Sequence, residues 1–391
     1  MKLLAAAALL WIVMFVSALG LSAQSRLGDP LAGITRVDLE EFRLGLDDFL
    51  EVEATEEGLG PAFNGTSCAI CHNVPVVGGG GVIGEVRAAG RDASGRPVPL
   101  SAEGETLFQL FSVPLHGCQV QIPPEAVIIA RRIPIPLFGA GLVEAIPDDT
   151  ILAQADPDDR DRDGISGRAS IIRDIATGER RVGRFGWKAQ HATLLAFGAD
   201  AYRNEMGITN DLFREELGLG LSPEQFRHCD RLPDPEDVID PATRRRGIDN
   251  FASSMKFLAP AERGADGPHV QAGEQQFVSI GCASCHTPSM TTGASPERAF
   301  DRRHVPLFSD LLLHDIGTGD DIPQAVAFPE EIRTPALWGL RFRRPLLHDG
   351  SAATIEDAIR RHGGEAENVR RRFEALPQGA KDALGAFLRS L

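Results

Sequence analysis

Apolar and polar positions follow a helical period in only a few parts of the 391-residue chain. Near Glu40 to Glu51, Phe42, Leu46 and Phe49 fall on one face of a helix. The stretch Gly273 to Phe277 reads as a short helix leading into Gly281 and Cys282. From Thr354 to Gly364 the pattern predicts a helix with Thr354 as N-cap, Asp357 completing a capping box, and Gly363 and Gly364 ending it. A last helix is expected over about Lys381 to Leu391. Between Val74 and Pro147 the chain is rich in Pro and Gly without a period, which predicts loops and at most a short hairpin. No long strand run is visible. The pattern therefore predicts a mainly α fold with long irregular loops and little β.

The longest apolar run opens the chain. Lys2 precedes Leu3 to Leu21, and Ser22-Ala23-Gln24 follows. A charged start, a hydrophobic segment and a small-residue cleavage site form an export signal, here residues 1–23. The mature protein is then expected in the periplasm. Left uncleaved, the run is long enough to anchor it to the membrane.

Composition narrows the partners. The formal net charge is -15, and a nucleic-acid partner would need a basic face. The acidic balance suits a basic protein partner, such as a small electron-carrying cytochrome or cupredoxin, by electrostatic steering. It serves solubility equally well.

The six cysteines change the picture most. Cys68-Ala-Ile-Cys71-His72 and Cys282-Ala-Ser-Cys285-His286 repeat one pattern. Chance would give on the order of 0.002 such matches, so two are not accidental. Two thiols a helical turn apart reach the two vinyl groups of one haem, and the adjacent His points at the iron. Two covalently attached c-type haems are expected. A four-cysteine zinc site would bring its pairs closer in sequence than these, which lie more than 200 residues apart. A thioredoxin-like pair does not call for His at the next position. Cys118 and Cys229 remain, as a disulfide or as buried thiols. The motifs suggest two haem domains, residues 31–265 with loop insertions and residues 268–391 as a compact cytochrome c-type unit.

One acidic loop stands apart. Asp159, Asp161 and Asp163, followed by Gly164, alternate as the carboxylates of a calcium loop do, without the closing Glu of an EF-hand. Calcium and a plain solvated loop are both open.

Further segments carry a family resemblance. They are Gly60-Pro-Ala-Phe-Asn64, Gly139 to Pro147, Gly183 to Lys188, Asp310 to Gly317, Arg333 to Gly339 and His348-Asp349-Gly350. With the two Cys-His motifs, they make most of the mature chain resemble the bacterial di-haem peroxidase and MauG-like superfamily, nearest its di-haem oxidoreductase branch. The resemblance implies that Trp187 lies between the haems and that Glu205, in Asn204-Glu205-Met206-Gly207, is the carboxylate of the peroxide pocket. A Gln usual between those points is replaced by Phe197 or a neighbour. The resemblance also makes His362 the sixth ligand of the second haem, with His348 and His314 as the alternatives. A homodimer would follow family habit alone.

The expected chemistry is a division of labour. The first haem, on His72, takes hydrogen peroxide, and Glu205 moves a proton between the peroxide oxygens. The second, on His286 and His362, stores the electron that Trp187 relays. A non-catalytic electron-transfer cytochrome is the alternative, in which His191 or His116 closes the first haem. The label of thiol oxidation sometimes given to this branch finds no support in Cys118 and Cys229, which are not a Cys-x-x-Cys pair.

Overall fold

The computed structural model describes residues 26–101, 105–113, 119–217, 221–230 and 232–391. The export signal, His116 and Cys118 lie outside the described residues. Among the described residues no helix is long and apolar enough to cross a membrane.

The first helix, α1 (Arg36–Leu50), starts at Thr35, whose hydroxyl accepts from the Asp38 amide while the Asp38 carboxylate accepts from the Thr35 amide. Its buried face carries Phe42, Gly45 and Phe49. A short strand β1 (Ala62–Phe63) and the one-turn helix α2 (Cys68–Cys71) follow. The next stretch is where the sequence misleads. It forms a four-stranded antiparallel sheet around β2 (Glu85–Arg91). Strands β3 (Pro97–Val98), β4 (Leu107–Phe108) and β6 (Ile128–Arg132) pair with it, and β5 (Phe111–Ser112) pairs with β1. The expectation of little β is corrected: the fold is mixed, 31% helix and 13% strand, with several small sheets. The reason is visible in β2. Its sequence Glu-Val-Arg-Ala-Ala-Gly-Arg lacks an apolar alternation because two charged side chains point inward.

Short helices α3 (Ala140–Glu144) and α4 (Asp148–Leu152) and the hairpin β7 (Ile171–Arg173) with β8 (Arg180–Val182) lead to α5 (Leu194–Met206). Thr193 caps α5, and Gly207 ends it at φ 73°. Then come α6 (Pro223–Cys229) and α7 (Gly247–Phe257). Helix α7 lies directly on α1: a Cβ at Gly45 would stand 2.1 Å from the Asn250 carbonyl oxygen. The main core gathers Phe42 and Phe49 of α1, Tyr202 and Met206 of α5, and Phe251 and Met255 of α7.

The C-terminal part runs through α8 (Pro268–Ser279), the pair β9 (Met290–Thr291) and β10 (His304–Val305), and the pair β11 (Leu313–His314) and β12 (Ile332–Arg333). It ends in α9 (Ile355–Arg361), α10 (Glu367–Ala375) and α11 (Gln378–Leu388). Its own core stacks Phe277, Phe308 and Phe387 with ring centroids 5.2–6.0 Å apart. Gly273 lets α8 and α11 touch, since a Cβ there would meet the Ala383 carbonyl oxygen at 2.0 Å. Helix α8 is longer than the expected Gly273–Phe277, because Pro268 suits a first helical position. Thr354 caps α9 as expected, but the Asp357 carboxylate accepts from the Ala353 amide rather than from Thr354.

Candidate functional site: two cavities sharing one tryptophan

Two large cavities open in this framework, and each holds one Cys-x-x-Cys-His motif. The first, with about 1420 Å³ of empty space, is lined by Cys68, Cys71, His72, Glu205, Phe197 and Trp187. The second, about 1250 Å³, is lined by Cys282, Cys285, His286, His362 and again Trp187. The two cysteine pairs line different cavities, so they form no four-cysteine zinc site. Burial pushes the Cys71 thiol up to about 11 and the Cys282 thiol up to about 12, the opposite of what a redox-active dithiol needs.

Local structure aims each histidine. The Nδ1 atom of His72 lies 3.0 Å from the Gly79 carbonyl oxygen, that of His286 3.1 Å from Phe308 O, and that of His362 2.7 Å from Ala358 O. A carbonyl only accepts, so in each ring Nδ1 carries the proton and Nε2 keeps its lone pair for a metal. Burial lowers the pKa of all three, His286 to about 4 with His362 adding to it, so all are neutral near pH 7.

The alternatives to His362 behave differently. Both nitrogens of His314 are engaged at 2.8 Å, Nε2 by Asp310 and Nδ1 by Glu365. Burial disfavours its charge, but its bonds to Asp310, Cys285 and Glu365 outweigh that and keep it protonated. His348 lines the second cavity with its ring edge-on to Trp187, centroids 6.1 Å apart. His191 binds Asp200 at 3.0 Å and is not among the residues lining the first cavity.

Trp187 stands in the wall between the cavities. Its Nε1 donates to the Ile133 carbonyl oxygen at 2.8 Å, and the Ile133 amide donates to the His348 carbonyl oxygen at 2.7 Å. Behind it, Lys188 is fully buried. Its ammonium donates to the carbonyl oxygens of Phe328, Pro329 and Glu331 and pairs with Asp320 at 3.1 Å. Burial lowers Lys188 to about 8. Asp320 also binds Arg132 at 2.6 Å; burial alone would raise its pKa, but Arg132 and Lys188 hold it at about 2.

Helix α5 brings Glu205 to the first cavity. Phe197, Ala201 and Glu205 recur every fourth residue and share one face, all lining it. The Asn64 amide donates to Glu205 Oε2 at 2.9 Å. Burial and then the nearby charge of Glu85 push Glu205 well above the ordinary carboxylate range. Glu85 and Arg87 line the cavity too, as does Gln190, and sequence reasoning passed over all three. The signal was present in Glu85-Val-Arg87: residues two apart share a face of a strand.

Whether a haem fits can be judged from charges left over. Arg132 lines the first cavity with Nε held by Asp320 and Nη1 by Gln324, and only its buried Nη2 has no partner among the described residues. In the second, Arg333 and Arg343 form no ion pair among the described residues, and burial lowers both to about 10. Unpaired buried guanidinium groups need an anion. The propionates of a haem would supply one in the second cavity and an acceptor for Arg132 Nη2 in the first, each beside an imidazole nitrogen and two thiols.

The acidic loop is less defined. The carboxylates of Asp159, Asp161 and Asp163 lie within 4.8 Å of one another, with Asp161 and Asp163 exposed. They accept amides of their own loop, Asp159 from Gly164 and Asp163 from Ile165. Cys229 is in a disulfide.

These features define a protein built to hold two redox groups side by side. The chain belongs to the family described as "Di-haem oxidoreductase, putative peroxidase", whose model matches residues 116–391. Haem cofactors and an oxidoreductase function follow from that membership. A search among curated protein sequences returned no match. Among solved structures, the chain is similar to a MauG-like protein associated with microbial copper homeostasis, at 15% identity over 95% of both chains, TM-score 0.41. It is also similar to the dihaem peroxidase BthA from Burkholderia thailandensis E264, at 16% identity over 90% of this chain and 86% of that one, TM-score 0.41. A third is hydrazine synthase of Kuenenia stuttgartiensis, at 12% identity over 99% of this chain and 100% of that one, TM-score 0.39.

Proposed function

We propose that the mature protein is an exported di-haem c-type peroxidase that reduces hydrogen peroxide in the first cavity with electrons relayed from the second. The observation that carries this is the placement of Trp187 in both cavities, with Glu205 in the first alone. Haem bound in the first cavity would supply an iron that takes up peroxide and exchanges electrons with it. Cys68 and Cys71 would hold that haem through thioethers and His72 through Nε2. Cys282, Cys285, His286 and His362 would hold the other, saturated on both faces. Arg132, Arg333 and Arg343 would pair with propionates.

Glu205 handles the protons. It takes one from one peroxide oxygen and returns one to the other, so that water can leave. Burial raises its pKa, which suits that exchange. Over the whole cycle hydrogen peroxide takes up two electrons and two protons and gives two waters. Trp187, which lines both cavities, would carry the electrons between them. The donor would be a small periplasmic cytochrome or cupredoxin meeting the acidic surface.

Low-temperature EPR of the ferric holoprotein, followed by mixing with peroxide, tests this. One high-spin and one low-spin signal and a fast spectral change with peroxide are expected. Two low-spin signals that persist after one-electron reduction, with no reaction, would leave an electron carrier instead.

A further inference from the structure

Two carboxyl groups line the first cavity together. Glu85, at the start of β2, meets Glu205, in the last turn of α5. Two carboxyl groups that share one buried site do not both ionise readily, so one of them tends to keep its proton. The neighbours decide which. Arg87 grips Glu85 with two parallel bonds, Nε to Oε1 at 2.8 Å and Nη2 to Oε2 at 2.9 Å, while its Nη1 donates to Thr106 Oγ1 at 3.2 Å. This fork favours the ionised form of Glu85. Glu205 has the neutral amide of Asn64 on Oε2 and a negative charge beside it. The Asn64 bond alone favours the ionised form, but burial and the Glu85 charge outweigh it and favour the neutral one.

We infer that Glu85, clamped by Arg87, is a positioning residue that keeps Glu205 protonated at neutral pH, so that the first cavity holds an acidic proton before any oxidant arrives. Its part in catalysis rests on the reading of the first cavity as the peroxide site. The other charged groups facing the pair do not cancel the effect. Arg132, opposite Glu85 on β6, is committed to Asp320. Asp200, on α5, is committed to His191 and Arg203. Cys71, on α2, is a neutral thiol, and would be a neutral thioether. A neutral carboxyl can perform both halves of the proton exchange together: its O–H donates to one peroxide oxygen while its carbonyl oxygen accepts from the other.

Infrared spectroscopy of the full-length holoprotein tests the pair without relying on turnover. The readout is the C=O stretch of a neutral carboxylic acid, followed against pH. Glu53 and Glu216, also raised by burial, give a background that subtracting the Glu205→Gln spectrum removes. The wild-type difference spectrum should show the band at pH 7 and lose it only in the alkaline range. In Glu85→Gln, Arg87 is left for Glu205, and the midpoint should fall by about 1–3 pH units. Glu85→Asp, which keeps the charge, should retain the wild-type midpoint. An unmoved midpoint in Glu85→Gln overturns the inference. If that variant fails to fold, a wild-type spectrum with no band at pH 7 relative to Glu205→Gln overturns it equally. Peroxide mixing on the same samples separates the two readings. A band without peroxide reactivity leaves the carboxyl pair standing and removes the peroxidase; reactivity without a band does the reverse.

Discussion

The two cavities share a motif, a similar size and one indole, yet their other walls differ in kind. The second is lined by His286 and His362, each with Nδ1 bonded to a carbonyl, by His314 and His348, and by two arginines without acid partners among the described residues. The first has a single imidazole, that of His72, and its polar side chains include Glu205, Glu85, Arg87, Arg132, Asn64 and Gln190. Its lining also includes the exposed apolar side chains of Ile83, Leu110 and Phe111. On the function proposed above, one cavity would hold a saturated metal and the other would manage protons beside an open one. The same attachment motif therefore sets where a cofactor sits, and the surrounding walls set what it does.

The largest test of that contrast is Glu205→Gln. Peroxide reduction should slow by about 10²–10⁴-fold, with both haem absorption bands retained, as stopped-flow mixing would show. Equal activity would mean that the first cavity is no more catalytic than the second. Next comes Asp320→Asn, which leaves Arg132 and Lys188 buried without their shared partner. Stability should fall by about 3–5 kcal/mol, measured by urea unfolding. The sign with pH follows from the depressed pKa of Asp320. Its contribution is complete above the unfolded value near 3.9 and is lost as the pH falls through about 2.

Trp187→Phe should cost about 1–3 kcal/mol by stranding the buried Ile133 carbonyl. It should also slow electron exchange between the sites without changing the ligands of either iron. Smallest is Thr354→Ala, which removes the cap of the helix leading to His362. A loss of about 1 kcal/mol is expected, with the low-spin EPR signal broadened and peroxide binding in the first cavity unchanged.

Local chemistry was legible in the sequence, and long-range partnership was not. The Cys-x-x-Cys-His spacing is a local geometric requirement, so Cys68 to His72 and Cys282 to His286 could be read directly. Thr35 was not read as a cap, and α1 begins four residues before the expected Glu40, because a single periodic stretch fixes a helix better than its ends. His362, Trp187 and Glu205 came from resemblance; His362 lines the second cavity, Glu205 the first and Trp187 both. Glu85, Arg87, Arg132, Arg333 and Arg343 could not be placed, since their role depends on strands and loops that meet only in the fold. Arg132 and Glu85 face each other across β2 and β6 from positions 47 residues apart. The Pro and Gly content that read as loops conceals that pairing. Pro134, Pro136 and Gly84 stand just outside the strands and end them, leaving the ladder itself intact.

The shared indole has one further consequence, which concerns how such a protein can change. Most residues of a two-site molecule answer to one site and can vary while the other is held constant. Trp187 answers to both at once, and through Ile133 it is tied to the backbone of His348 as well. A replacement there is judged twice, so improvement at one site is visible only where the other tolerates it. The two cavities can be redesigned separately almost everywhere in their walls except at this one position.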